Sequence, residues 1–275
     1  MMQPMYLVIL ADGRSRQRPL TGGDLPVAFE RTGDGQTVLE RTVARFAPLI
    51  DPLDVVVVTD RRHGQTVRGF VPNALVLTEP MHRNTAASVA LATVAIERPD
   101  DEPMLVVAAD HDVDRDDALR DAVSTIGESL SGSGGQQPPV LLAFGVNPAD
   151  ADPGCSYIRP RFGDGYRAGE LRVFPVDGYE AHPNATRARE LFDSGSTLWS
   201  AGIYLWRRGA IRAAIERYTP LLTMIESAFR SELALSAAYD RLQPLSIDET
   251  VLAGAAGDGA VVTTQLDVGW RALGS

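Results

Sequence analysis

Short runs of consecutive apolar residues alternate, early in the chain, with stretches whose apolar positions recur every three or four residues. Met5–Ala11 (MYLVILA) is a continuous apolar run bounded by turn residues, the pattern of a strand buried on both faces of a parallel sheet. Residues 12–19 are too polar and turn-rich to extend it. Over 37–47, Val38, Leu39, Thr42, Val43 and Phe46 fall at helical spacing behind Thr37, a candidate N-cap. Asp54–Thr59 (DVVVVT) and the shorter Ala74–Leu77 predict two more strands. Ala86–Ile96 predicts a small-residue helix able to lie close to a sheet, and Met104–Ala109 a strand ending on Asp110-His111. This succession predicts an α/β protein whose mainly parallel sheet is covered on both faces.

The later pattern is more mixed. Ser129–Pro139 (SLSGSGGQQPP) reads as a low-complexity surface loop. Val140–Val146, Ser156–Arg161, Glu170–Val176, Gly202–Trp206 and Ala260–Thr264 read as strands, with helical stretches near Ala210–Tyr218 and Pro220–Leu242. No internal repeat is present.

Composition narrows the class. At 275 residues and 44% hydrophobic, the chain can fill a real core, which excludes disorder and a disulfide-stapled scaffold. No apolar run approaches the ~18 residues that span a bilayer, and no leader pattern opens the chain, so a soluble cytoplasmic protein is expected. A net charge of −10 argues against a general nucleic-acid binder. All 26 basic side chains are arginines, which leaves no lysine for a Schiff base, a general base or a phosphate contact. Any bound anion must meet arginine, backbone N–H groups, a helix N-terminus or a metal.

Ligands of such sheets bind at the carboxyl ends of the strands, where three loops carry polar side chains: residues 11–19, residues 79–86 and Asp110–Asp112. In Glu79-Pro80-Met81-His82-Arg83-Asn84-Thr85-Ala86, Asn84 or Thr85 can cap the next helix and leave Glu79 and Arg83 free to face a ligand. The same residues also fit a plain capped turn.

Glu79-Pro80-x-x-Arg83-Asn84-Thr85-Ala86 followed by Ala109-Asp110-His111 resembles the mannose-1-phosphate guanylyltransferase family of sugar-nucleotide pyrophosphorylases. Further pieces fall in that family's order. Leu7–Ala11 with Gly13 and Pro19-Leu20 resembles its LAGGxGTRLWPL, Pro26 and Phe29 its PKQF, and Val55–Thr59 with His63 its VVT…H. Gly145 with Pro148, and Gly154 with Tyr157-Ile158, resemble its GI.P and GYGYI. Leu198-Trp199 with Gly202-Ile203 resembles LWNSGIF, Ser246-Ile247-Asp248 resembles SID, and Asp267-Val268-Gly269 resembles DVG.

The resemblance implies a Rossmann-like, GT-A-like nucleotidyltransferase fold with a mixed, mainly parallel central sheet. It implies one domain over residues 1–275, with a nucleotide-binding half at 1–128 and a sugar-binding half at 140–275. A sugar-1-phosphate oxygen would attack the α-phosphorus of GTP, releasing pyrophosphate and forming GDP-mannose. Carried over position by position, Arg16 and Asp110 would be catalytic, and Asp110 and Asp267 would hold Mg²⁺. Leu10, Ala11, Gly13, Arg14, Glu79, Asn84, Thr85 and Ala86 would contact the nucleotide, and Gly145, Gly154, Tyr157 and Ser200 would lie near the sugar. The partners would be the nucleotide and a sugar-1-phosphate, without nucleic acid or membrane. Pro220–Leu242 offers a helical surface that could pair subunits into a homodimer.

The chain departs from the pattern where phosphate and sugar bind. Asp12 replaces a loop glycine, and the loop is one residue shorter, so Arg14, Arg16 or Arg18 could supply its arginine; spacing favours Arg16. Val27 stands where PKQF has lysine, Phe174-Pro175-Val176-Asp177-Gly178 replaces FxEKP, and Ser200 replaces the asparagine of LWNSG. Three functions therefore stay open: an active Mg²⁺-dependent nucleotidyltransferase, a catalytically impaired homologue that binds a nucleotide or nucleotide sugar in a regulatory role, or a pocket that serves a different sugar or nucleotide.

Other patterns weigh less. Asp110-x-Asp112-x-Asp114 with Asp121 resembles a calcium loop but has Arg115 where glycine is needed. His63, His82, His111 and His182 lack zinc spacing. Cys155 reads as an ordinary buried or half-buried thiol, Arg207-Arg208 as a solvated helix start, and Trp199 and Trp206 as core.

Overall fold

A computed structural model describes residues 4–11, 25–131 and 140–273. Asp12, Gly13, Arg14, Arg16 and Arg18 lie outside the described residues. The strands are β1 (Tyr6–Leu10), β2 (Val55–Asp60), β3 (Leu75–Glu79), β4 (Pro103–Ala108), β5 (His111–Asp112), β6 (Leu141–Val146), β7 (Tyr157–Pro160), β8 (Tyr166–Ala168), β9 (Leu171–Glu180), β10 (Leu198–Arg207), β11 (Val261–Leu266) and β12 (Arg271–Ala272). The helices are α1 (Val38–Phe46), α2 (Gly64–Phe70), α3 (Asn84–Ala95), α4 (Asp116–Ser131), α5 (Ala185–Asp193), α6 (Arg208–Tyr218), α7 (Leu221–Ala228), α8 (Glu232–Asp240) and α9 (Ala253–Gly257), the last preceded by a π turn at Asp248–Leu252.

The main sheet has the order β3-β2-β1-β4-β10-β6-β11-β9-β7, with β8 on β9, and β5 and β12 form a separate ladder. β1 to β4 pair in parallel, as do β6 and β11, while β10 runs antiparallel to both β4 and β6. β4, β6 and β11 therefore point the same way and end on one edge. Because β10 bridges β4 and β6, the sheet is continuous across the two halves of the sequence.

Strand alternation divides the core between the two faces. Tyr6, Val8 and Leu10 join Val106, Trp206 and the apolar faces of α3, α6 and α7. Met5, Leu7 and Ile9 join Leu105, Phe144 and the inward residues of α1, α4 and α5 on the other face. Trp206 is fully buried and Trp199 7% exposed, both in the core as expected. Thr37 caps α1 in a full capping box: its Oγ1 accepts from the Glu40 N–H at 3.1 Å, and Glu40 Oε2 accepts from the Thr37 N–H at 2.7 Å.

Several expectations change. The helical stretch at Pro220–Leu242 is two helices, because the chain turns at residues 229–231 and Ser231 caps the second by accepting from the Ala234 N–H at 3.3 Å. Their apolar faces pack into their own chain's core. α2, α4, α5 and α9 went unread; in α4 the buried Leu119, Ala122, Val123 and Ile126 have helical spacing, but the acidic calcium-like pattern runs into it. Arg208 is not solvated: it donates to the carbonyls of Thr93 (3.1 Å) and Ile96 (2.9 Å), satisfying the open carboxyl end of α3. Cys155 is buried. No helix among the described residues is long and apolar enough to cross a membrane.

Candidate active site

At the carboxyl edge of the sheet the turn after β4 meets the segment after β11, and the β3–α3 loop lies on the same edge, three strands from β4. Asp110 follows β4 directly, and its side chain is 24% exposed. Asp267 follows β11 directly and is 94% exposed, with its carboxylate 3.0 Å from Arg115. The two segments are laced together. The Asp114 and Arg115 N–H groups both donate to the Val268 carbonyl at 3.0 Å, and the Leu273 N–H donates to the Asp110 carbonyl at 2.7 Å. β5 pairs with β12 through Asp112–Arg271 and His111–Ala272.

Beneath this ladder, Asp112 collects three guanidinium groups: Arg271 at 3.0 Å, Arg41 at 3.1 Å and Arg45 at 3.5 Å. Arg41 and Arg45 lie one turn apart on α1, so both reach the same carboxylate. Arg45 is almost wholly buried and also donates to Asp116 at 2.6 Å. His111 is buried against Trp270, ring centroids 5.9 Å apart, with Nδ1 3.4 Å from Asp110 Oδ1. Asp112 and its arginines were missed as a site feature. The traces were the spacing of Asp110, Asp112 and Asp114, read as a weak calcium loop, and of Arg41 and Arg45. In the structure Asp112 and Asp114 are spent on arginines, with Arg271 also 2.6 Å from Asp114. No group of three or more metal-binding side chains occurs among the described residues.

Asp110 and Asp267 suit Mg²⁺ in kind. It takes one or two carboxylates and completes its shell with water and phosphate oxygens, and both side chains are reachable from solvent.

The β3–α3 loop is built differently from its sequence reading. Glu79 is fully buried and accepts from Ser88 Oγ at 2.8 Å and the Tyr239 hydroxyl at 3.0 Å, so it anchors the loop from behind instead of facing a ligand. Arg83 is not free, since its Nε donates to the Tyr239 carbonyl at 2.7 Å. Neither Asn84 nor Thr85 is the N-cap, a position held by Arg83 without a side-chain bond. Asn84 instead opens the helix at φ 65°, its Oδ1 accepting from the Thr85 N–H at 2.7 Å. Left-handed backbone is uncommon outside glycine, though asparagine tolerates it best. Thr85 Oγ1 accepts from the Ile247 N–H at 2.9 Å, and the Ala86 N–H donates to the Leu245 carbonyl at 3.3 Å. Leu10 and Ala11 are buried at the end of β1.

On the sugar side the named residues serve packing. A Cβ on Gly145 would lie 2.6 Å from Leu198 Cδ1, so glycine there permits close contact with β10. Tyr157 is fully buried and donates to the Asp152 carbonyl at 3.0 Å. Gly154 is fixed by its N–H to Asp152 Oδ1 at 2.7 Å and by His182 on its carbonyl. Ser200 is 6% exposed, its Oγ 3.4 Å from the Tyr204 hydroxyl, which donates to Asp248 at 2.8 Å. Burial pushes the Asp248 carboxyl pKa upward, against the hydrogen bonds from Ser156 and Tyr204 that favour its charge. Burial likewise raises Tyr204 and Tyr179 well above the ordinary phenol value.

A layered, mainly parallel sheet with two carboxylates at its carboxyl edge defines the class: the protein has the fold of the sugar-nucleotide transferases. No family model matches the chain. Over 293 residues it is 29% identical to the mannose-1-phosphate guanylyltransferase of Escherichia coli (strain K12) and 30% identical to the mannose-1-phosphate guanylyltransferase ManC of Salmonella typhimurium (strain LT2), in both cases over 98% of this chain and 58% of the relative. The crystal structure of a mannose-1-phosphate geranyltransferase from Thermus thermophilus is 27% identical and superposes with a TM-score of 0.79, covering 98% of this chain and 76% of that one. The chain is similar over nearly its whole length to mannose-1-phosphate guanylyltransferases. It spans little more than half the length of the curated relatives it matches.

Proposed function

We propose that this protein transfers a guanylyl group from GTP to mannose-1-phosphate, forming GDP-mannose and releasing pyrophosphate, with Mg²⁺ as cofactor, in the cytoplasm. The observation that carries this reading is the lacing of the segment after Asp110 to the segment after Asp267, which supports two reachable carboxylates on one edge. In the reaction a phosphate oxygen of the sugar phosphate bonds to the α-phosphorus as the bond to the pyrophosphate oxygen breaks. Such transfers depend on positioning and on neutralising oxygen charge. Mg²⁺, when bound, supplies much of that neutralisation. Asp110 and Asp267 would hold it, and Arg16 is the residue assigned by spacing to the triphosphate. Asn84, Thr85 and Ala86 border the nucleotide, while Glu79 holds their loop in place. The same edge divides into the nucleotide-binding half at 1–128 and the sugar-binding half at 140–275, and a homodimer is the proposed assembly.

A second reading, binding without turnover, is favoured by a different observation. Val27, where the family has lysine, is 1% exposed and belongs to the core, and Asp177 lies outward, paired with Arg161 at 3.1 Å. Neither position brings a cation to a phosphate or sugar.

Pyrophosphate release from GTP, mannose-1-phosphate and Mg²⁺ separates the two, with the other NTPs and glucose-1-phosphate as further pairs. Release with any pair supports transfer and identifies the substrates. No release from cooperatively folded protein sinks it. A melting-temperature rise with GDP-mannose would then support the binding role, since ligand at 100 times its Kd adds ~2.7 kcal/mol.

A further inference from the structure

Asn84 opens α3 at φ 65°, a conformation that costs free energy outside glycine and persists only where its surroundings over-determine it. The groups that over-determine it come from far along the chain. Ahead of Asn84, Tyr239 holds both ends of the turn. Its hydroxyl donates to Glu79 Oε1 at 3.0 Å, at the close of β3, and its carbonyl accepts from Arg83 Nε at 2.7 Å. Behind Asn84, the Ile247 N–H donates to Thr85 Oγ1 at 2.9 Å, and the Leu245 carbonyl accepts from the Ala86 N–H at 3.3 Å.

Tyr239 is fully buried in the last turn of α8, and both of its polar groups are engaged by the loop. Arg83 Nη2 also reaches the Asp240 carbonyl at 3.5 Å, so the loop in turn closes the carboxyl end of α8. Glu79 is fully buried, and a buried carboxyl group keeps its place only while its donors are present. The phenol and Ser88 Oγ, at 2.8 Å, are two such donors. A phenylalanine ring would fill the same space yet leave Glu79 short of a donor, so the loss would fall on the loop rather than on the core.

We propose, resting on the nucleotide-binding reading of this loop, that Tyr239 is a positioning residue for the nucleotide. It fixes the Glu79–Ala86 loop, and with it the left-handed Asn84, in the shape that receives a nucleoside triphosphate. Asn84 Oδ1 is engaged by the Thr85 N–H at 2.7 Å, which leaves the amide N–H₂ as the donor this half-buried side chain offers a ligand. Buried behind the loop, Tyr239 acts through it and not on the ligand.

The test pairs titration calorimetry of the full chain with GTP and Mg²⁺ with amide hydrogen exchange in the absence of ligand. Tyr239→Phe should exchange the amides of residues 81–87 about 10-fold faster and bind GTP about 10-fold more weakly. In turnover the loss should fall on the KM for GTP, with kcat and the KM for mannose-1-phosphate unchanged. Ser88→Ala, which removes a second donor from Glu79, should move exchange and binding in the same direction, and serves if Tyr239→Phe fails to fold. Leu235→Ala, at a buried apolar position of the same helix, should melt lower yet bind GTP like the parent. If the parent binds GTP and Tyr239→Phe binds it equally well or exchanges no faster, or if Leu235→Ala reproduces the loss, Tyr239 serves packing and this proposal alone is overturned. A parent that binds no nucleoside triphosphate overturns it together with the transferase reading.

Discussion

The two halves of the sheet treat their motif residues in opposite ways. In the first half, Asp110, the carboxylate proposed to bear the chemistry, sits at a strand end, partly open to solvent, above a knot of arginines that balances its neighbours Asp112 and Asp114. In the second, Gly145, Tyr157 and Ser200 are built into strand contacts, and the carboxylate among them, Asp248, is buried under tyrosines. Motif residues kept in a sequence can thus be kept for different physical reasons: charge placed at an edge in one case, close packing in the other.

The largest effect that tests this contrast is at the edge. Asp110→Asn should lower kcat/KM for pyrophosphate release by about 10²–10³, the scale of removing a group that stabilises transition-state charge. Asp267→Asn should lose activity similarly yet shift unfolding by less than ~0.5 kcal/mol, because its ion pair is exposed. Unchanged turnover in both would remove the edge carboxylates from the chemistry. Gly145→Val should cost about 1–3 kcal/mol in urea unfolding through overpacking against Leu198. Intact stability with a raised KM for the sugar phosphate would restore Gly145 as a ligand contact and erase the contrast.

Asp248 sharpens the comparison through pH. Its pKa is raised in the folded state, so the folded protein holds that proton more tightly than the unfolded chain. Its contribution to stability is complete below the ordinary carboxylate range and is lost as pH rises through the folded value. Asp248→Asn should therefore gain on the parent as pH increases, read from urea midpoints across a pH series; a constant difference would mean that the carboxylate titrates normally. Smallest is Arg187→Ala. Its paired partner Glu180 has a lowered pKa, chiefly from the hydrogen bonds Arg187 donates, but the arginine is solvent-exposed, so the urea midpoint should barely move.

Much of the fold was legible. The apolar runs at Met5–Ala11, Asp54–Thr59 and Met104–Ala109 became β1, β2 and β4, because burial on both faces leaves no polar position in the pattern. The carboxyl-edge position of Asp110 was equally readable, since it follows such a run. Glu79 was misread because its partners, Ser88 and Tyr239, include one that lies 160 residues away. Helix α4 was obscured by its acidic first turn, and Pro220–Leu242 was joined because the break at residues 229–231 carries no proline or glycine.

What the sequence determined by itself is local or collective: strands from runs of apolar residues, Thr37 as a helix cap from the helical spacing behind it, and a family resemblance from motifs in a constant order. What only the tertiary structure decided is which distant charges and hydroxyls meet. Arg41, Arg45 and Arg271 converge on Asp112, Tyr204 reaches Asp248, and Tyr239 reaches Glu79. The reason is physical. Spacing along a chain sets what near neighbours can do, whereas the pairing of remote groups depends on strand order and register, which bring together residues that no local pattern connects.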